Sequence, residues 1–348
     1  MSTEDQDRLA FLKVEGVPYD IGVELGRFGR RAVHSHLTPT RAWATVVAQR
    51  SDARVLEMAR QVEARFPQYL AELRGLADGL ELPFGEVFAW NCRGDIWAMA
   101  PDGCTTVQVP GRRHVIAHNE DGDPGFRGAC ALVHVAPAGG AAFTAFVYPG
   151  SLPGHTFAAT DAGLVQTVNN IRALDGGVGL PRMVLTRAVL DCRDLDAAVS
   201  LLRSAERAGA FHLTLAKTGD PRLLGVEFTA STCSVREITT PCVHANHLVH
   251  DATSAVRQIV TGSSASRQSR GEVLVADGTA VRDPLVVLRD GADPGLPIRR
   301  DDPCDPDDEN TLATAVFTIE DDRLDWCVYD QANGPPRFHI RERLVPAA

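Results

Sequence analysis

An α+β fold of packed layers is predicted by this 348-residue chain, and three observations carry the prediction. Apolar residues recur at helical spacing from about residue 18 to 100, the pattern switches after Cys104 to short β-like runs broken by glycine and proline, and a helical pair near 181–207 has strands on both sides of it. Sheet content on both sides of helices is the pattern of α+β layers.

In chain order, VLEMARQVEARF (55–66) and YLAELRGLADGL (69–80) place apolar residues three and four apart, with Pro67 and Pro83 at the junctions, which predicts packed amphipathic helices. Gly22 and Gly26 in IGVELG read as the close packing of a helix, because no preceding strand or phosphate-type glycine run supports nucleotide binding there. After Cys104 the runs TTVQVP, HVIAHNE, CALVHVAP, AFTAFVYPG and GLVQTVNN predict an antiparallel meander. The segment PRMVLTRAVLDCRDLDAAVSLLRSAER (181–207) predicts two helices, FHLTLAK, LLGVEFT, CSVREIT and CVHANHLV four strands, and helices resume between Ala252 and Val275 before the closing strands TLATAVFTI and RLDWCVYD. The acidic, proline-containing DDPCDPDDENT (301–311) reads as a solvated connection. A division follows into a mainly helical segment 1–103 and a second unit 104–348.

Composition narrows the function. The hydrophobic share of 44% suits a globular core, and the net charge of −10, with Lys13 and Lys217 the only lysines, argues against nucleic-acid and anionic-membrane partners. The opening MSTEDQDRLAFLKVEG has acids where a secretory signal carries positive charge, and no later run holds eighteen uninterrupted apolar residues, so a cytoplasmic location is expected. Eight cysteines without a CxxC pair exclude a zinc ribbon and disfavour a disulfide framework. His244, His247 and His250 are spaced three apart, as are none of the pairs that a strand would present on one face, so neither they nor His114 and His118 predict a metal.

The stretch Gly103-Cys104-Thr105-Thr106 carries the chemistry. Were the Gly103–Cys104 bond to break, Cys104 would hold a free α-amine beside its own thiol. An α-amino group with a pKa of roughly 7.7–8.0 is matched to taking a thiol proton near neutral pH, and an N-terminal amine is a recognised activator of a nucleophile. Glycine before the nucleophile tolerates the backbone geometry of attack, and Asp102 adds a polar neighbour. The run His118-Asn119-Glu120-Asp121-Gly122 ends a neighbouring strand, so either acid can face the thiol. Asn170 and Asn246 stand at strand ends, and an amide NH2 suits a developing oxyanion. Ser266-Arg267 sits at a helix start, where Arg267 can steady the site or hold a carboxylate.

At these residues the chain resembles the acyl-CoA:6-aminopenicillanic acid acyltransferase-like family of N-terminal nucleophile hydrolases, the C45 peptidases. EGVPYDIGVELG (15–26) is similar to the family's opening motif, DGCTT (102–106) with Asn119-Glu120-Asp121 to its self-cleavage site and Asn-x-Asp element, and HANHLVH with SSASRQ to its oxyanion asparagine and site arginine. The resemblance implies an αββα sandwich and self-cleavage at Gly103–Cys104, with fragment 1–103 retained as a bound small chain. It implies Cys104 as nucleophile, Asn246 as oxyanion donor and Asp121 as an acid orienting the amine. Thr105, Asn119, Glu120, Asn170, Ser266 and Arg267 would shape the site, Asn170 by similarity to an asparagine of penicillin V acylases, with the Asn169-Asn170 register left open. The implied substrate is a small-molecule acyl amide or thioester, with coenzyme A thioesters compatible as donors, no cofactor or metal required, and a homo-oligomer compatible. Hydrolysis is favoured over transfer to an amine. Two competing readings are a non-catalytic binding protein of the same fold and a papain-like hydrolase that brings His118 or His244 to Cys104.

Overall fold

The computed structural model describes residues 7–101, 103–302, 304–305 and 307–343, so Asp102 lies outside it. Its helices are α1 (Pro18–Ala32), α2 (Arg41–Val47), α3 (Ala53–Arg65), α4 (Pro67–Leu80), α5 (Phe84–Asn91), α6 (Arg93–Ile96), α7 (Arg182–Val189), α8 (Leu195–Ser204), α9 (Gly262–Ala276), α10 (Thr279–Arg282) and α11 (Pro284–Leu288). The strands are β1 (Ala10–Gly16), β2 (Gly103–Val109), β3 (His114–Gly122), β4 (Ala131–Pro137), β5 (Phe143–Val147), β6 (Phe157–Thr160), β7 (Leu164–Asn170), β8 (Phe211–Lys217), β9 (Leu223–Phe228), β10 (Cys233–Glu237), β11 (Cys242–His244), β12 (Asn310–Ile319), β13 (Arg323–Tyr329) and β14 (Phe338–Arg343).

The helices start and stop where local chemistry dictates. Pro18 fills the first position of α1, where no intrahelical N–H partner is lost, and Asp20 and Arg30–Arg31 complement the two ends of the helix dipole. Asp52 caps α3 by accepting the Arg54 N–H, and Val55, Met58 and Val62 form its buried stripe. Helices α1 and α4 pack backbone to backbone. A methyl group added at Gly22 would overlap the Glu72 carbonyl, and one at Gly75 the Tyr19 carbonyl, so the glycines expected to serve helix packing do so.

The strands form two sheets. One has eight strands in the order β1-β4-β5-β6-β7-β8-β9-β10, the other six in the order β11-β2-β3-β12-β13-β14. They face each other, with β2 against β7, while α9–α11 cover the outer side of the smaller sheet and α1 and α8 pack on the larger. This is the α+β architecture, with helices outside two stacked sheets. One expectation changes. The meander is interrupted, because after β3 the chain turns through a 3-10 segment at Pro124–Phe126 and enters the other sheet at β4. The N-terminal segment, expected to be mainly helical, also supplies β1, which pairs in parallel with β4 and completes the larger sheet. Among the described residues no helix is long and apolar enough to cross a membrane.

Candidate active site

The hairpin β2–β3 assembles the centre by register. Gly103 stands opposite Asp121, Cys104 opposite Glu120, Thr105 opposite Asn119 and Thr106 opposite His118. Side chains alternate across a strand, so Cys104, Thr106, His118 and Glu120 share the face toward the larger sheet, where the Thr106 hydroxyl meets Asn169 on β7. Thr105, Asn119 and Asp121 turn outward: Thr105 meets Arg267 on α9, and Asn119 donates to the Leu288 carbonyl of α11 and accepts from Thr314.

Of the two acids that the sequence left open, Glu120 faces the thiol. The Cys104 Sγ donates to its Oε2 at 3.8 Å, and both residues are buried. Asp121 instead receives the Thr311 hydroxyl at 2.6 Å on the other face of the strand, level with Gly103.

Asn246 lies just past β11 and is fully buried. Its Oδ1 accepts the Cys104 N–H at 3.0 Å and Arg267 Nη2 at 2.7 Å, while its Nδ2 donates to the Asn170 carbonyl at 3.1 Å. The side chain expected to present donors therefore meets the Gly103–Cys104 bond with its acceptor. Arg267 also donates to the Cys104 carbonyl, to Thr105 Oγ1 at 2.8 Å and to Ser263 Oγ at 3.1 Å. Burial pulls its guanidinium below the ordinary arginine range, against the pull of Asp121.

Ser266 is not part of this group, contrary to expectation. Its hydroxyl donates to the Leu296 carbonyl at 3.0 Å, because a residue adjacent to Arg267 on a helix is rotated about 100° away from it. Ser263 and Ser264, one turn earlier, take that place, Ser264 Oγ accepting the Asn246 N–H at 2.9 Å. The two adjacent asparagines also point to different partners. Asn169 turns to Thr106, whereas the Asn170 side chain accepts from Arg182 Nη1 at 2.6 Å and offers only its backbone carbonyl to Asn246.

Reading the sequence missed a buried ionic cluster beside Gly103. A Cβ at Gly103 would collide with the Glu309 carboxylate and lie 3.2 Å from Asp121 Cβ. Glu309 is held by Arg300 Nη1 at 2.5 Å and Arg172 Nη2 at 3.7 Å, and Arg300 also pairs with Asp305. The loop read as a solvated connection thus places Asp305 and Glu309 in the interior, because the arginines neutralise them there. Burial pushes the Glu309 carboxyl up to about 7, against the pull of Arg300 and Arg172. Arg299-Arg300 just before an acidic strand entry was the signal available.

Among the described residues, two sets of three potential donor residues have ligand atoms within 4.8 Å of one another, Cys104–His118–Glu120 and the more exposed Asp325–Cys327–His339. The contacts within them are those of hydrogen-bonded side chains, His118 with Glu120 at 3.2 Å and His339 with Asp325 at 2.8 Å. His244 stacks on His212 with ring centroids 3.5 Å apart and meets Glu227 at 3.0 Å, away from Cys104. A cavity of about 300 Å3 opens between Trp90, Trp97, Phe126 and Tyr148, with Asp123, Asp307, Asp308, Arg41 and Arg93 on it, and it reaches Pro101 ahead of β2 and Gly122 at the end of β3.

Residues 108–333, well over half of the chain, match the family model described as acyl-coenzyme A:6-aminopenicillanic acid acyl-transferase. The chain is 28% identical over 241 residues to the beta-alanyl-dopamine/carcinine hydrolase of Drosophila melanogaster, in an alignment covering 61% of this chain and 62% of that protein's length. The penicillin V acylase of Agrobacterium tumefaciens is similar in structure with a TM-score of 0.37 and 13% identity, covering 65% of this chain and 83% of that one.

Proposed function

Since the chain belongs to the acyl-coenzyme A:6-aminopenicillanic acid acyl-transferase family of N-terminal nucleophile enzymes, we propose that it is a self-processing cysteine amidohydrolase whose nucleophile is Cys104. The observation that carries this reading is the setting of the Gly103–Cys104 bond: a buried thiol against a carboxylate, with the bond's nitrogen held by Asn246 and the next carbonyl by Arg267. Scission would proceed by an N-to-S acyl shift followed by hydrolysis, leaving 1–103 as a bound small chain and 104–348 as the catalytic chain.

In turnover the α-amine of Cys104 takes the thiol proton, and the thiolate attacks the substrate carbonyl. The resulting oxyanion is held by a backbone N–H together with Asn246, whose Nδ2 carries a second hydrogen besides the one given to Asn170. Water then releases the acyl group. Asp121, Thr105 and Arg267 shape the outward side of the centre, and no metal or prosthetic group enters the scheme.

The aromatic lining suits an acyl amide with an aromatic amine part, and the three carboxylates Asp123, Asp307 and Asp308 outnumber Arg41 and Arg93 there, which favours a cationic amine over the polyphosphate of a coenzyme A donor. A hydrolase of β-alanyl-dopamine and carcinine among its relatives supports this choice over acyl transfer. Denaturing mass spectrometry of wild type and Cys104→Ala tests the reading. The expected result is two chains divided at Gly103–Cys104 for wild type, a whole chain for the variant, and acyl-Cys104 trapped from an N-acyl amine. An active wild type that remains one chain would overturn it. Product analysis with an amide, and with an acyl-CoA plus competing amines, separates hydrolysis from transfer.

A further inference from the structure

The mechanism just proposed uses the α-amine of Cys104 as base, yet before scission that nitrogen is an amide and takes no proton. If Cys104 is the nucleophile of self-cleavage, as proposed, another group must accept the thiol proton in the uncut chain. A buried hydrogen-bond chain supplies the answer. Asn169 Nδ2 donates to the His244 carbonyl at 3.0 Å, which leaves its Oδ1 as acceptor for the Thr106 hydroxyl at 2.8 Å and for His212 Nδ1 at 3.1 Å. A hydroxyl has one hydrogen, and Thr106 has given it to Asn169. Its contact with His118 Nδ1 at 2.8 Å must then be an N–H donated by the histidine. His118 therefore carries its proton on Nδ1 and turns the lone pair of Nε2 toward Glu120 Oε2, 3.2 Å away.

Two lone pairs facing each other at that distance repel in a low-dielectric interior, and a proton placed between them turns the repulsion into a hydrogen bond. The same Oε2 is the atom that the Cys104 thiol approaches at 3.8 Å. The geometry points to Glu120, backed by His118, as the general base of self-cleavage. Glu120 touches the reacting group and is catalytic; His118 acts through it and is a positioning residue.

The step balances. The proton of Sγ–H passes to Glu120 Oε2 and is shared with His118 Nε2, and the thiolate forms a bond to the Gly103 carbonyl carbon. The electron pair moved onto that oxygen returns to expel the Cys104 nitrogen, which takes the proton back from the pair and becomes the amine. One water then splits the Gly103 thioester, giving the Gly103 carboxyl group and restoring the thiol. Once the amine exists it lies on the same residue as the sulfur and offers an acceptor besides Glu120. Burial holds His118 down to about 3, so its imidazole is neutral and its lone pair available. The groups that face the pair are Cys104 and Thr106 from β2, His212 from β8 and Cys130 ahead of β4.

The test follows scission of the full chain after synthesis in a cell-free system, by denaturing mass spectrometry over time and pH. Glu120→Gln is expected to slow scission by about 10²-fold or more, the range of a lost general base, and Glu120→Asp to recover part of the rate. His118→Gln puts an amide in place of the lone pair, so the rising limb of the pH profile should move to lower pH, a shift that a merely structural role would not produce. Near-ultraviolet circular dichroism checks that each variant is folded, and Glu120→Asp with His118→Gln decides if Glu120→Gln is not. Wild type divided while Glu120→Gln divides at the same rate, or His118→Gln leaves the limb in place, overturns this inference alone. Wild type that stays whole overturns the function proposed above and this step with it.

Discussion

The side-chain oxygen of Asn246 accepts the backbone N–H of Cys104 at 3.0 Å, a contact that spans 142 positions of sequence. An acceptor on the nitrogen of the bond that must break orients that nitrogen before attack and would hold the amine afterwards, whereas the donor Nδ2 serves an oxyanion. Asn246→Asp separates the two roles because it keeps the acceptor and removes the donor. The variant is expected to cleave its own chain within about tenfold of wild type but to lose about 10²-fold in kcat, the cost of one oxyanion donor. Single-turnover acylation with an N-acyl amine, run beside a cleavage time course, measures both; equal losses in the two would refute the division of roles.

Arg267 makes its four contacts at 1% exposure. Truncation to alanine would strip the Cys104 carbonyl of this donor and leave Asn246 Oδ1 with the Cys104 N–H alone, in a dry interior where an unmade hydrogen bond costs about 1–3 kcal/mol. Arg267→Ala should therefore lower unfolding free energy by about 3 kcal/mol and stop scission. Arg267→Lys, a point charge without the planar fork, should recover stability in part without recovering scission. Urea unfolding and the same mass assay provide the two readings.

The legible part of this molecule was local. GCTT, the NED run and HANH lie where hairpin register and strand ends bring them together, and helical periodicity marked α3, α4, α7 and α8. Partner choice was hidden: β2, β3 and β7 are buried on both faces, so their apolar runs carry no period that says which sheet they join. Glu309 and Arg300 were hidden for another reason. An acidic loop reads as solvated until the arginines that neutralise it, Arg172 among them, arrive from elsewhere in the chain. Ser266 shows the same limit at the scale of one residue, since the rotation of α9 decides which serine shares a face with Arg267.

Glu309 predicts a pH dependence of stability. Burial pushes its carboxyl up to about 7 from an ordinary value of 4.5, so between these limits the folded chain holds a proton that the unfolded chain has released. Its contribution is fully present below pH 4.5 and is lost as pH rises to 7. Glu309→Gln stays neutral throughout and lacks this contribution, so wild type should lose up to about 3 kcal/mol relative to the variant from pH 4.5 to 7. Urea midpoints of both proteins at three pH values test the sign, and a wild type that gains on the variant would contradict it.

The α1–α4 contact yields a prediction in which chemistry is constant and only space differs. Adding a methyl at Gly22 overlaps the Glu72 carbonyl, backbone that cannot move without carrying α4 with it, whereas a methyl at Gly85 in α5 meets nothing closer than Arg50 Cβ at 4.0 Å. Both positions are helical with ordinary φ, so alanine gains up to about 1 kcal/mol of helix propensity at each. Overpacking at Gly22 should outweigh that gain and leave Gly22→Ala about 2–3 kcal/mol less stable than wild type. Gly85→Ala should match or exceed wild type. Calorimetric melting of the two variants measures the difference, and similar melting temperatures for both would mean that α1 and α4 do not touch backbone to backbone. Because α4 leads through α5 and α6 into β2, a loosened contact should also slow scission at Gly103–Cys104 in Gly22→Ala and leave it unchanged in Gly85→Ala.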